Sequence, residues 1–186
     1  MTLETEMQDA THKMEQAVTH LKDELAGIRT GRATPAVLSR VVVDYYGSAV
    51  PLNQLASMSV PEPRLLQLQP FDKNAIGSIE KAIQSSDLGI TPSNDGNLIR
   101  LSFPPLTEER RRELVKQVHH RAEESRVAVR NVRRHAKDSM EKLERDGGIS
   151  EDDLTRAEKE LQKLTDRFVA EVDEIQGHKE RELMEV

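Results

Sequence analysis

Apolar residues recur at steps of three and four along three stretches of the chain. The first runs Met7, Ala10, Met14, Ala17/Val18, Leu21, Leu25 and Ile28, and stops at Gly31 and Pro35. The second runs Val115, Val118, Ala122, Ser125, Val129, Val132, Ala136, Met140 and Leu143. The third runs Leu154, Ala157, Leu161, Leu164, Phe168, Val172 and Ile175. This spacing puts each set on one face of an α-helix, and stripes so narrow and heptad-like predict a slender bundle. Helix ends are marked as well. Thr107 can cap the second helix, with Glu108 and Glu109 at its positive end, and Gly147-Gly148 can end it. Ser150 suits the cap of the third, with Glu151, Asp152 and Asp153 in its first turn. A two-glycine loop between two long helices predicts an antiparallel hairpin, whose groove accepts the first stripe. The expectation is a long antiparallel three-helix bundle with a small-residue, aliphatic core.

Residues 31–105 follow another rhythm. Thr34-Pro35 predicts a short helix, since proline is tolerated at a first helical position. Val41-Val42-Val43-Asp44-Tyr45 is β-branched and predicts a strand ending in a turn at Gly47. Further strands are expected at 55–60, 65–69 and 98–103, the last because Ile99, Leu101 and Phe103 alternate with Arg100 and Ser102. Ile76, Ile79 and Ile83 predict a helix of about three turns, and Ser93-Asn94-Asp95-Gly96-Asn97 a turn. The fold class is therefore α+β: a bundle domain of residues 1–30 and 106–186, with a small α/β head of residues 31–105 inserted into it. An insertion has two connections to its host, here near 29–32 and 103–107. Gly31 makes one permissive and Pro104-Pro105 makes the other stiff, a natural hinge.

Composition narrows the function. Charged residues are 32% of the 186 and aromatic ones 3%, which suits long helices or disorder; the stripes decide for helices. With no cysteine, disulfides, thiolate chemistry and cysteine-ligated metals are excluded. No apolar run approaches the roughly 18–20 residues that span a bilayer. Glu4, Glu6 and Asp9 stand where a secretory signal would be basic, so a cytoplasmic location is expected. No phosphate-cradling glycine loop, nucleophile elbow or spaced metal pair occurs among the motifs. The six histidines, His12, His20, His119, His120, His135 and His178, are expected as solvated helix-face residues. No enzyme activity, cofactor or metal is expected. Tyr45-Tyr46 suits base stacking, but on a strand the pair points to opposite faces, so one ring buried and one exposed is the plainer expectation.

The net charge of −6 is unevenly spread. Lys and Arg outnumber Asp and Glu by four over residues 108–145, whereas acids exceed bases by seven over 146–186. Within the basic segment Arg126, Arg130, Arg133 and Lys137 follow i, i+4, i+7, i+11, about 100° from the apolar stripe. Arg134 widens this row, and Arg110, Arg111 and Arg112 lie further back. A row of this kind is ordinarily a solvated face paired with nearby acids. Residues 127–134 contain no acid, and arginine's planar, permanently charged fork suits phosphate. Phosphate binding on one surface is the functional reading, and a charged helical face that docks protein remains the alternative.

Several motifs occur in order: Ile28-Arg29-Thr30-Gly31-Arg32-Ala33-Thr34-Pro35, Val43-Asp44-Tyr45-Tyr46-Gly47, Pro51-Leu52-Asn53-Gln54-Leu55-Ala56, Ser86-Asp87-Leu88-Gly89, Pro104-Pro105-Leu106-Thr107-Glu108-Glu109-Arg110-Arg111 and Arg126-Val127-Ala128-Val129-Arg130-Asn131-Val132-Arg133-Arg134. Together they closely resemble bacterial-type ribosome recycling factor over essentially the whole chain. The resemblance implies an L-shaped monomer similar in outline to transfer RNA. It implies binding between the ribosomal subunits after termination and, with elongation factor G and its GTP hydrolysis, splitting of the ribosome. The bundle would contact large-subunit ribosomal RNA, and the head would lie near the small subunit and an intersubunit bridge. Carried over by motif, Arg130 and Arg133 lead the RNA contacts, with Arg29 and Arg126 supporting and Arg110 after them; Arg134 and Lys137 join them from the basic row itself. The acidic last helix would face away from the RNA. The hinge carries over to Thr30, Gly31, Arg32, Pro104, Pro105, Leu106 and Thr107. The competing readings are a helical adaptor for a protein partner and an arm that binds free transfer RNA.

Overall fold

The computed structural model describes residues 2–185, in two compact units. One is formed by the chain up to Arg29 together with Glu108–Glu185, the other by Thr30–Thr107.

The first unit consists of α1 (Leu3–Ala26), α3 (Glu108–Arg145) and α4 (Glu151–Met184), with α1 lying against both of the others. Each start is fixed by local chemistry. Thr2 and Thr5 form a capping box: the Thr5 N–H donates to Thr2 Oγ1 at 3.2 Å and the Thr2 N–H to Thr5 Oγ1 at 2.9 Å. At α4, the Asp153 N–H donates to Ser150 Oγ at 3.1 Å and the Ser150 N–H to Asp153 Oδ2 at 3.3 Å. Between α3 and α4 the chain turns through Gly147 at φ +76°, a left-handed conformation suited to glycine. The Gly147 and Gly148 amides then donate to the carbonyls of Glu144 and Leu143, both at 2.9 Å, which closes a Schellman motif. α3 and α4 therefore run antiparallel.

The buried rows begin with Ala10, Met14, Val18, Leu21 and Leu25 on α1, Leu114, Val118, Ala122, Ser125 and Val129 on α3, and Ala157, Leu161, Thr165, Phe168 and Val172 on α4, and continue to Ala136 and Met140 on α3 and Leu183 on α4. All three open with steps of 4, 4, 3, 4. That covers fifteen residues in four steps, more than 3.6 per turn, whereas a heptad averages 3.5. These rows therefore drift about 60° around the helix over four turns, opposite in sense to the drift of the expected heptad-like stripe. On α3 the row begins at Leu114, one position before the expected Val115. Polar residues within the rows are satisfied: Ser125 Oγ donates to the Ala17 carbonyl at 3.3 Å and Thr165 Oγ1 to the Leu161 carbonyl at 2.8 Å.

The second unit has a hairpin of β1 (Val42–Tyr45) and β2 (Ser48–Pro51), and a four-stranded antiparallel sheet of β3 (Ala56–Glu62), β4 (Leu65–Pro70), β5 (Ser93–Asn94) and β6 (Ile99–Ser102). The sheet order is β3-β4-β6-β5. One edge, β3, carries Pro61 and a register break between Ser59 and Glu62; the other, β5, is two residues long. α2 (Ile76–Gln84) buries Ile76, Ile79 and Ile83. These join Leu38, Val43, Leu52, Leu66, Leu68, Ile99 and Leu101 in one aliphatic core. The expected short helix at Thr34-Pro35 is one 3₁₀ turn, Pro35–Leu38.

β2 was not expected. The turn before it holds Tyr46 at φ +50° and Gly47 at φ +83°, the two positive values of a type I′ hairpin turn. Tyr46 thus lies in the turn and is exposed while Tyr45 packs partly buried on the core, so the expected one-in, one-out burial holds although the two rings do not diverge. Their rings meet edge to face with centroids 4.6 Å apart, and both hydroxyls donate to Asp72 Oδ2, at 3.0 Å from Tyr45 and 3.2 Å from Tyr46.

Candidate nucleic-acid interface

The basic row of α3 lies beside its buried row, where α3 packs on α4. That packing sets which cations are available. Arg126 has only 17% of its side chain exposed, and its Nε donates to Asp173 Oδ1 of α4 at 2.8 Å. Its Nη1 donates to Glu123 Oε2 at 3.1 Å, and its Nη2 is also held by Gln176 Oε1. The guanidinium is occupied, so Arg126 is a brace between two helices rather than an open contact.

One turn on, the partners become weak or neutral. Arg130 is half exposed and has one carboxylate, Glu123, at 3.7 Å. Arg133 donates from Nη1 to the amide oxygen of Gln162 at 2.9 Å, and Arg134 from Nη2 to Asn131 Oδ1 at 3.0 Å. Lys137 has Glu158 at 3.4 Å and Glu141 at 3.7 Å. These four cations, with Asn131, line an open groove of about 580 Å³. Its other wall comes from α4: Thr155, Glu158, Lys159, Leu161 and Gln162. Five cationic side chains and one carboxylate thus line the groove in a protein of net charge −6. Such a surface attracts a polyanion locally while the rest of the molecule repels it.

Of the residues read from sequence, Arg130, Arg133, Arg134 and Lys137 are brought together. Arg110 is not: it sits in the first turn of α3, paired with Glu113 at 2.8 Å, about 30 Å from Arg130 at 1.5 Å per residue. Arg29 is exposed beyond the end of α1. α4 does not turn wholly away from the basic face, as its acidity suggested, because Lys159 and Gln162 fall on the flank that meets α3. The sequence signal for these two is slight, a lysine and a neutral amide on an otherwise acidic helix.

The histidines are all exposed, and four have a carboxylate within reach; His119 joins α3 to Glu180 of α4 at 2.8 Å. Among the described residues no three metal-ligating side chains cluster, and no helix is long and apolar enough to cross a membrane.

The segments nearest the unit boundary are fastened on the β-rich side. Ala33 N–H donates to the Pro63 carbonyl at 2.9 Å and Phe103 N–H to the Arg64 carbonyl at 2.8 Å, so both connections are tied to the same turn between β3 and β4. Gly31 adopts φ +77°, and a Cβ there would meet Leu106 Cγ at 3.3 Å.

A helical unit with a cationic groove, interrupted in sequence by a small β-rich unit, defines a two-part α+β protein. The family model for ribosome recycling factor matches residues 21–184. A ribosome-recycling factor of Acidothermus cellulolyticus is 54% identical over 178 residues, covering 96% of each chain. A solution structure of ribosome recycling factor superposes with a TM-score of 0.80 at 48% identity, covering 100% of this chain and 99% of that one. A second structure models the T. thermophilus ribosome recycling factor and the E. coli elongation factor G bound to the E. coli post-termination complex. It matches with a TM-score of 0.66 at 49% identity, covering 98% of this chain and 99% of that one. The chain belongs to the ribosome recycling factor family.

Proposed function

We propose that the chain acts as a monomeric, cytoplasmic, non-enzymatic recycling factor. It binds the post-termination ribosome between its subunits and, with elongation factor G and GTP, splits it. The helical unit anchors on large-subunit ribosomal RNA through Arg130, Arg133, Arg134 and Lys137. The unit of residues 30–107 serves small-subunit and bridge contacts. The observation that carries the reading is the groove on α3, where cations stand with weak or neutral partners on a protein that is otherwise acidic. Arg29 and Arg110 supply outlying contacts, and Arg126 contributes by holding α3 to α4.

No covalent step falls to this chain. It lacks the glycine loop that cradles nucleotide phosphates, so GTP hydrolysis belongs to the partner. The chain's part is to convert a push into displacement about a hinge of Thr30, Gly31, Arg32, Pro104, Pro105, Leu106 and Thr107. The anchoring of Ala33 and Phe103 to one turn supports these limits, because it leaves only the short segments beyond it to move.

The test is charge reversal. Arg130→Glu with Arg133→Glu should weaken co-sedimentation with ribosomes on the order of 100-fold, since two charge-assisted phosphate contacts are replaced by repulsion. Helicity and melting should stay as in the parent, because neither arginine holds the core. Parental ribosome affinity in that variant would sink the RNA assignment.

A further inference from the structure

Arg133 is held differently from Arg126. Its hydrogen bond goes to the Gln162 amide oxygen, at 2.9 Å, rather than to a carboxylate. The Gln162 amide is itself oriented, since its Nε2 donates to Asp166 Oδ1 at 2.7 Å. A neutral acceptor fixes the guanidinium in place and leaves its full charge for another anion, whereas a carboxylate would cancel it. Across from Arg133 on the same groove stands Lys159, an exposed cation without an ion pair among the described residues. It is the one cation that α4 lends to this groove. Glu158, the one acid there, is already engaged with Lys137 at 3.4 Å.

We propose that the phosphate-binding surface has two walls, with α4 contributing Lys159 as a direct ligand of RNA backbone phosphate and Gln162 as the positioning residue of Arg133. This rests on the ribosome-binding reading above and deepens it. The backbone lies in the cleft between the helices, rather than on the outer crest of α3 alone. A cleft with cations on both sides can hold one phosphate from two directions, which a single helix face cannot. The acidic helix thereby takes part in recognition.

The experiment measures affinity for purified large ribosomal subunits across a salt series, using the full chain and five variants, the Arg130→Glu/Arg133→Glu reversal among them. Lys159→Gln is expected to weaken binding about three- to tenfold and to lower the slope of log affinity against log salt by about 0.7–0.9, one phosphate contact. Lys163→Gln, one turn further along α4 and outside the groove, is expected to bind as the parent does. Gln162→Glu places a carboxylate on Arg133. It is expected to weaken binding as much as Arg133→Gln while leaving the melting temperature unchanged or higher, a result that a purely structural role for Gln162 would not give. Parental affinity and slope in Lys159→Gln, or an equal loss in Lys163→Gln, overturns the proposal. Loss of binding on Arg130/Arg133 reversal with parental behaviour in Lys159→Gln and Gln162→Glu would remove only the second wall. Parental binding by the reversal variant would remove the ribosome-RNA assignment together with it.

Discussion

Asp72 shows how one carboxylate can organise its neighbours. Asp72 Oδ1 accepts the Asn74 N–H at 2.9 Å, and Oδ2 accepts both tyrosine hydroxyls. The Asn74 amide, then the Tyr45 hydroxyl, hold the Asp72 carboxyl below the usual carboxylate range. The bond to Asp72, then burial, push the Tyr45 phenol above its ordinary value. The ionised Asp72 is favoured in the folded state, so its contribution is present above the unfolded carboxylate value and is lost as pH falls through the lowered folded one. Asp72→Asn should therefore be less stable than the parent at neutral pH, and the gap should close in acid. In the same variant the Tyr45 ring should titrate nearer the ordinary tyrosine value, as followed by NMR. An unchanged Tyr45 titration would disprove the link. This cluster was not legible beforehand. The β-branched run before the pair reads as strand, and nothing in it signals the positive φ at which Tyr46 enters a turn.

At the scale of elements, the helices were the most readable part, because their stripes and stop signals agree. Gly147-Gly148 ends α3, and Ser150 starts α4 through a reciprocal box. The Ser150 hydroxyl, followed by its amide, also keeps the Asp153 carboxyl below its usual range. Ser150→Ala should cost about 1 kcal/mol of unfolding free energy in urea titrations. A change near zero would mean that the cap is dispensable in a helix held so firmly elsewhere. The β elements were harder. Ser48-Ala49-Val50-Pro51 has no alternation, and its turn, Tyr46-Gly47, lacks the Asn-Gly or Asp-Gly pair that advertises a hairpin. Ser93-Asn94 belongs to a run of turn-forming residues, yet it pairs with Ile99 and Arg100. The basic row on α3 was visible from its spacing. The capture of Arg126 was not, because Asp173 lies 47 residues away and meets it only once the phase of α4 against α3 is known.

For the whole molecule, charge and connectivity matter most. A net charge of −6 with one cationic groove predicts weak attraction to RNA in general and strong salt dependence at the right surface. The hinge proposal makes its own prediction. The chain has no native thiol, so a pair of introduced cysteines, one in each unit, gives a reversible lock. The oxidised protein should bind ribosomes like the parent but fail to split them with elongation factor G and GTP in a light-scattering assay. Splitting should return on reduction. Full activity while locked would show that movement at Thr30–Arg32 and Pro104–Thr107 is not needed.

The two margins of the β-sheet carry a last consequence. A free strand margin is a template for a second chain, and here each is spoiled: Pro61 lacks an N–H and sits beside a break in register, and Ser93–Asn94 is too short to seed a ladder. Copies crowded together therefore have little means of joining their sheets end to end through either margin.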